Sequence, residues 1–177
     1  TYNSIKEKAE STQYILPKII RARQAIELLK VPTFLQLIKE NLVDGKSSVV
    51  FVNFNQTLRT IADDLQIDCL VHGEQSIEER MQNIKDFQDN KKNVIILNMR
   101  AGSVGISLHD LMGSHQRVSI ISPTWSAQDF IQAIGRIHRA GAKTDAIQKI
   151  VFCEGTIEEF ICETLKYKLE NLSKLND

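Results

Sequence analysis

No charge of one sign dominates this sequence. Lysine plus arginine and aspartate plus glutamate number 22 each in 177 residues. That balance excludes the global field that draws basic proteins onto nucleic acid and leaves any such contact to a local patch. Cysteine is scarce as well. Cys69, Cys153 and Cys162 have no paired spacing and, with the four histidines, form no zinc pattern, so neither a disulfide framework nor a zinc module is expected. No apolar run approaches the roughly 18 residues that a bilayer-spanning helix needs, and the polar opening TYNSIKEKAES does not read as a signal peptide. Together these absences predict reduced thiols, no membrane contact and an intracellular protein of cytoplasm or nucleus, or a piece of something larger. Internal repeats, linkers and low-complexity stretches are also missing, so one compact domain is the starting expectation.

What is present is an alternation of short apolar runs and helix-length segments. Ile15, Ile19, Ala22, Ile26 and Leu29 recur at helical spacing, and VPTFLQLIKENL resumes the period after a break at Pro32, which predicts two helices leading into the fold over residues 1–44. SSVVFVNF is a continuous β-branched and aromatic run of the kind buried on both faces of a sheet, and reads as a central parallel strand. Leu58, Ile61, Ala62 and Leu65 then make a helix face, and IDCLVHG a short second strand. SIEERMQNIKDFQ opens with Ser76 and Glu79 in capping-box spacing and turns Ile77, Met81, Ile84 and Phe87 inward. NVIILNM and RVSIIS give two more strands, and AIQKIVFC, which alternates, suits an edge. A closing helix over 156–173 carries its apolar line at Ile157, Phe160, Ile161, Leu165 and Leu172. Strands separated by helices imply βαβ units, hence an α/β fold with a parallel sheet and helices on both faces. Ligands of such sheets lie beyond the carboxyl ends of the strands, which here read NFN, HGEQS, NMRAGSVG and SPTW.

The segment DFIQAIGRIHRAGAK, Asp129 to Lys143, places two arginines three apart at the end of a helical pattern. Ala127, Phe130, Ile131, Ile134 and Ile137 share one side, while Gln128, Gln132, Arg136 and Arg139 fall together opposite, which predicts one exposed line for the two arginines. A solvated face with cations at a helix C-terminus is one reading; a guanidinium clamp on an anion is the other. His138 turns toward the apolar side and reads as a packing histidine. Gly102 and Gly105 in RAGSVG either close a tight turn after a buried strand or let backbone amides cradle phosphate. Asn53, Asn55, Asn98 and Arg100 stand at strand ends, where polar groups can hold a nucleic-acid backbone, although Asn55 also suits an N-cap. Trp125 fits packing in a core or interface, or stacking on a base.

QAIGRIHRAG resembles motif VI of superfamily 2 helicases and translocases. VVFVNFNQTLRTIADDL resembles motif IV of that superfamily, HGEQSIEERMQNIKDFQ the segment after it, and ILNMRAGSVGISL motif V. ISPTWSAQDFIQA and GTIEEFI are similar to the tryptophan-containing stretch and the closing helix of the Swi/Snf branch. Order and spacing agree from about Ser48 to Leu172. Ala127 departs from the proline usual in that branch, and AGAK stands where IGQ is common.

The resemblance implies a C-terminal RecA-like lobe over residues 45–177 that completes an ATP site from across a cleft. Arg136 and Arg139 would reach the γ-phosphate, Arg139 as arginine finger, with Gln132, Gly102 and Gly105 beside the nucleotide. Asn53, Asn55, Asn98, Arg100 and Trp125 would face nucleic acid, double-stranded DNA above all. ATP and Mg²⁺ would be held mainly by an N-terminal RecA-like lobe of the same protein. This chain offers no cradle of its own: DGKSS at Asp44 to Ser48 imitates a P-loop, but the first glycine would fall at residue 40, which is Glu40, and the segment follows a helix and precedes a strand. No acidic pair follows a strand as the Mg²⁺ motif requires. The expected function is therefore the second motor lobe of an ATP-dependent DNA translocase of Swi/Snf type, inactive as an ATPase by itself. An RNA helicase lobe of a neighbouring branch and a non-catalytic nucleic-acid-binding module are the alternatives.

Overall fold

The structure, a computed structural model, describes residues 2–101 and 106–176, with side chains described over 15–101 and 106–170. Two helices, α1 (Tyr2–Leu29) and α2 (Val31–Val43), precede the first strand, β1 (Ser47–Val52). The chain continues through α3 (Asn55–Leu65), β2 (Leu70–Val71), α4 (Ile77–Gln88), β3 (Val94–Asn98), β4 (Arg117–Ile121), α5 (Ala127–Ile137), β5 (Ile147–Ile150) and α6 (Ile157–Asn176). The five strands form one parallel sheet in the order β2-β3-β1-β4-β5.

β1 is central, as its uniform apolar run requires, and all six of its residues are buried. Alternation sends Val49 and Phe51 to a core shared with Phe87 of α4, Phe130 of α5 and Ile161 of α6, and Val50 and Val52 to a core shared with Phe34 of α2 and Leu58 of α3. β5 takes the edge, with half-buried and exposed residues alternating. The P-loop imitation DGKSS is a helix stop. Gly45 at φ +70 lets the Lys46 amide donate to Asn41 O (2.8 Å) and its own to Leu42 O (3.1 Å), a Schellman closure of α2.

Three apolar faces differ from the expectation. Glu27 of α1 and Lys30, just past its end, are buried against the lobe, while Leu29 is 75% exposed. On α4 the capping box of Ser76 and Glu79 is formed, but only Phe87 is buried; Ile77 and Met81 stay 68% and 57% exposed. The cause is the edge strand β2, which at two residues is too short to lie beneath the first turns of α4. On α6, Ile161 and Leu165 are buried and Phe160 is exposed, its ring packed edge-on against Trp125 at 5.8 Å. Leu172 lies outside the described side chains. No helix among the described residues is long and apolar enough to cross a membrane.

Candidate functional site

Beyond the carboxyl ends of β1, β3 and β4 opens a cleft of about 490 Å³, whose walls include Asn53, Asn55, Asn98, Arg100 and Trp125. These residues come from three separate strand ends, and the parallel sheet gathers them. A second hollow of about 340 Å³ shares Asn55, Asn98 and Arg100 and extends the surface to Gly73 and Arg80. The amides are knitted together: Asn98 Nδ2 donates to Asn55 Oδ1 (2.7 Å) and Asn55 Nδ2 to Glu74 Oε1 (3.1 Å). Asn55 is therefore not an N-cap. It is the first residue of α3, whose N-cap position is Phe54.

The loop that carries Asn53 is held by a residue from outside the motifs. Glu27 of α1, 1% exposed, accepts from the Asn53 amide (2.8 Å), from Asn53 Nδ2 (2.9 Å) and, through its other oxygen, from the Phe54 amide (3.1 Å). A carboxylate thus does from a distance what no side chain at the N-cap does locally, and sits at the positive end of the α3 dipole. Asn53 Nδ2 also donates to Pro123 O (2.9 Å). Arg23, one turn before Glu27, lines the same cleft. Trp125 also lines the cleft; it is half-buried and packs edge-on with Phe160.

The arginines lie at the other end of α5. Ser126 caps this helix through Oγ, which accepts from the Asp129 amide (3.1 Å), and Ser126 and Asp129 both line the cleft. Seven residues on, about 10 Å along the axis, Arg136 closes the helix. The shared exposed line does not form: Arg136 is 5% exposed, because the chain from Ile106 to Leu108 crosses over it. Its Nη1 donates to Ile106 O (3.1 Å), and the Leu108 amide donates to Arg136 O (2.8 Å). Burial lowers the Arg136 pKa, and the charge of Arg139 lowers it further. Arg139 lies beyond the last helical residue and is exposed, its Nε on Gly135 O (3.1 Å) and its Nη1 on Ser107 Oγ (2.7 Å). His138, expected to pack, is exposed. Gln132 is half-buried with its Oε1 sealed from solvent and without a hydrogen-bond partner. Gly102 and Gly105 lie outside the described residues.

The helicase conserved C-terminal domain family matches residues 29–141. The chain belongs to that family. It is a RecA-like lobe of superfamily 2 helicase type, related to Snf2/Swi2-family ATPases and to other members of the superfamily. A putative ATP-dependent RNA helicase of Acanthamoeba polyphaga mimivirus is 39% identical over 98% of this chain and 32% of its own length. An ISWI chromatin-remodeling complex ATPase of Saccharomyces cerevisiae is 30% identical over 77% of this chain and 12% of its own. The chain thus spans about a third or less of these relatives. Among solved structures, the C-terminal part of the Fun30 ATPase domain aligns with TM-score 0.62 at 25% identity, covering 76% of this chain and 44% of that one. The C-terminal domain of the DEAD-box protein Dbp5 shares the fold at TM-score 0.61 and 21% identity, covering 80% and 79%.

Several residues of this helicase lobe escape sequence reading. Arg23, Glu27 and Lys30 recur at i, i+4 and i+7, a regular signal, but one that a search for apolar periodicity passes over. Arg117 on β4 is another. It is 1% exposed, lies 4.3 Å from the centre of the Phe87 ring and donates through Nη2 to Asn90 Oδ1 (2.7 Å) and Phe87 O (3.3 Å).

Proposed function

We propose that the chain is the second motor lobe of an ATP-dependent translocase of Swi/Snf type, moving on double-stranded DNA. A first RecA-like lobe of the same protein would supply the P-loop and the Mg²⁺ ligands. The observation that carries this reading is α5, which has one end in the polar cleft and the other at Arg136 and Arg139. A rigid helix of about 16 Å links a surface suited to a nucleic-acid backbone to a pair of guanidinium groups suited to phosphate.

The residues fit a nucleotide. Arg139 presents an exposed, planar donor fork whose position is set by Ser107 and Gly135. Arg136, fixed on Ile106 O, holds the crossing chain that places Ser107. Gln132 Oε1 is a buried acceptor without a donor, which suits a water or hydroxyl brought by the nucleotide. ATP would supply the phosphoryl group whose developing negative charge Arg139 meets when the lobes close. At the cleft, amides and Arg100 contact backbone rather than base edges, so grip is independent of sequence and falls with salt.

The test is Arg139→Ala in the two-lobe protein. Steady-state ATP hydrolysis is expected to fall by about 10³-fold or more, with DNA affinity and melting temperature nearly unchanged, and the single lobe is expected to turn over no ATP. Near wild-type turnover in the variant removes Arg139 from the active site. A second reading, an RNA helicase lobe, is favoured by the name of the mimivirus relative. Stimulation of the ATPase by duplex RNA but not duplex DNA decides for it.

A further inference from the structure

The charged stripe formed by α1 and the residue just past its end has three members. Glu27 is committed to the Asn53–Phe54 loop, and Lys30 spends its ammonium on Ser122, Val151 and Glu158. Arg23 is the third. It is half-buried in the cleft wall, with a long 3.5 Å contact from Nη2 to Pro123 O and its guanidinium carbon 5.9 Å from the centre of the Phe54 ring. Those contacts orient the group and leave most of its five N–H donors unused. Burial lowers its pKa; the charges of Glu27 and Glu158 oppose that, and the charge of Arg100 adds to it. Arg23 and Arg100 line one cleft, whose remaining polar lining includes the amides of Asn53, Asn55 and Asn98. Two guanidinium groups in one polar cleft suit an anion with several acceptor oxygens. Asp129 also lines the cleft and disfavours an anion near itself.

We propose that Arg23 and Arg100 together hold one phosphate of a nucleic-acid backbone, which makes a part of α1 that precedes the family-matched span 29–141 part of the grip. The assignment rests on the reading of the cleft as the nucleic-acid surface. Glu27 and Lys30 serve it by locking α1 onto the lobe, so that Arg23 is presented on a fixed element rather than on a loose helix.

The experiment is fluorescence anisotropy of labelled duplex DNA and duplex RNA of unrelated sequence against the protein, titrated over a range of salt. Variants are Arg23→Gln, Arg100→Gln and Arg21→Gln, the last an exposed arginine on the same helix. Arg23→Gln is expected to weaken binding about tenfold at low salt and to reduce the slope of log K against log salt by about 0.9. Arg23→Lys should keep the slope and recover only part of the affinity, since an ammonium lacks the planar fork. Arg21→Gln should change neither. Loss with Arg100→Gln but not with Arg23→Gln overturns the role of α1 and leaves the cleft reading intact. No loss with either overturns both. Equal loss with Arg21→Gln and Arg23→Gln reduces the effect to net charge and also overturns the proposal. An effect on only one of the two duplexes identifies the source of the phosphate. If Arg23→Gln fails to fold, protection decides instead: bound duplex should shield Arg23 and Arg100, but not Arg21, from phenylglyoxal in the unaltered protein. Equal modification of Arg23 with and without duplex refutes it.

Discussion

Lys30 and Glu158 form a deeply buried ion pair, and removing one partner should cost far more than removing both. The Nζ to Oε1 distance is 2.7 Å and the side chains are 3% and 4% exposed. All three ammonium protons are used, on Glu158, Ser122 Oγ (2.7 Å) and Val151 O (3.0 Å), while Glu158 Oε2 accepts from the Cys153 amide (3.0 Å). Lys30→Met strands a carboxylate away from water with one backbone donor left to it. That costs about 3–5 kcal/mol, a large share of the 5–15 kcal/mol typical of a domain. For a chain of this size the melting temperature should fall by about 10 °C. Lys30→Met with Glu158→Leu removes the uncompensated charge and leaves only neutral groups, Ser122 Oγ, Val151 O and the Cys153 amide, each worth about 1 kcal/mol. The double variant should therefore be more stable than Lys30→Met alone. Urea unfolding of the four proteins as a double-mutant cycle measures the coupling. Additive losses of under about 1 kcal/mol each would refute the reasoning, since they are what a solvated surface pair gives.

Acid should weaken the lobe partly through Asp110. Burial pushes its carboxyl up, but hydrogen bonds from the Gly113 amide (2.9 Å), Thr144 Oγ1 (3.0 Å) and the Met112 amide (3.1 Å), with the charge of Arg117, outweigh burial and hold the pKa below its ordinary value. A depressed folded pKa means stability present in full above the unfolded value, about pH 4, and lost as pH falls through the folded one. Asp110→Asn should thus be less stable at neutral pH and converge on the parent in acid; a pH-independent gap between the two melting curves refutes this. Gly135→Ala separates fold from function in α5. A Cβ there meets nothing within 4 Å, so the lobe should gain about 0.5–1 kcal/mol from helix propensity, while ATP hydrolysis by the two-lobe protein drops if the first lobe closes on that face. Unchanged turnover in the stabilised variant places the closing surface elsewhere.

The sheet was legible because it is built from runs whose burial is uniform. SSVVFV has nowhere to sit but between two other strands, and β1 lies between β3 and β4. The cleft was legible for a related reason: a parallel sheet delivers every strand's carboxyl end to one edge, so Asn53, Asn98 and Trp125, over 70 residues of chain, had to converge. What periodicity could not reveal were the places where a charged group is buried by something distant. Arg136 looks exposed on its own helix and is covered by the chain at Ile106 to Leu108, some 30 residues earlier. The α1 stripe looks like solvent-facing charge until Asn53, Ser122 and Glu158 supply its partners from as far as 128 residues away. Ile77 and Met81 fail in the opposite sense, since the pattern asks for a core that the two-residue β2 does not provide.

Two of these misses, the α1 stripe and Arg136, bear on how the lobe works. Glu27 and Lys30 tie α1 to the β1–α3 loop, to the ends of β4 and β5 and to α6, so the rim that carries Asn53, Pro123 and Trp125 is fixed by polar contacts at one edge of the sheet. Arg136 ties α5 to the chain that follows β3, whose end carries Asn98 and Arg100. α5 therefore joins two regions directly, with Arg136 near one end and Ser126 and Asp129 in the cleft at the other. Apolar packing alone would let such elements slide over a fraction of a side chain, whereas directed hydrogen bonds to buried charges hold position or break outright. On the proposed function, lobe closure at Arg139 would be felt at the cleft through α5. A two-lobe variant with Arg136→Met, which frees the chain that places Ser107 beside Arg139, should lower both steady-state ATP hydrolysis and its stimulation by duplex DNA, and unchanged values of both would refute this.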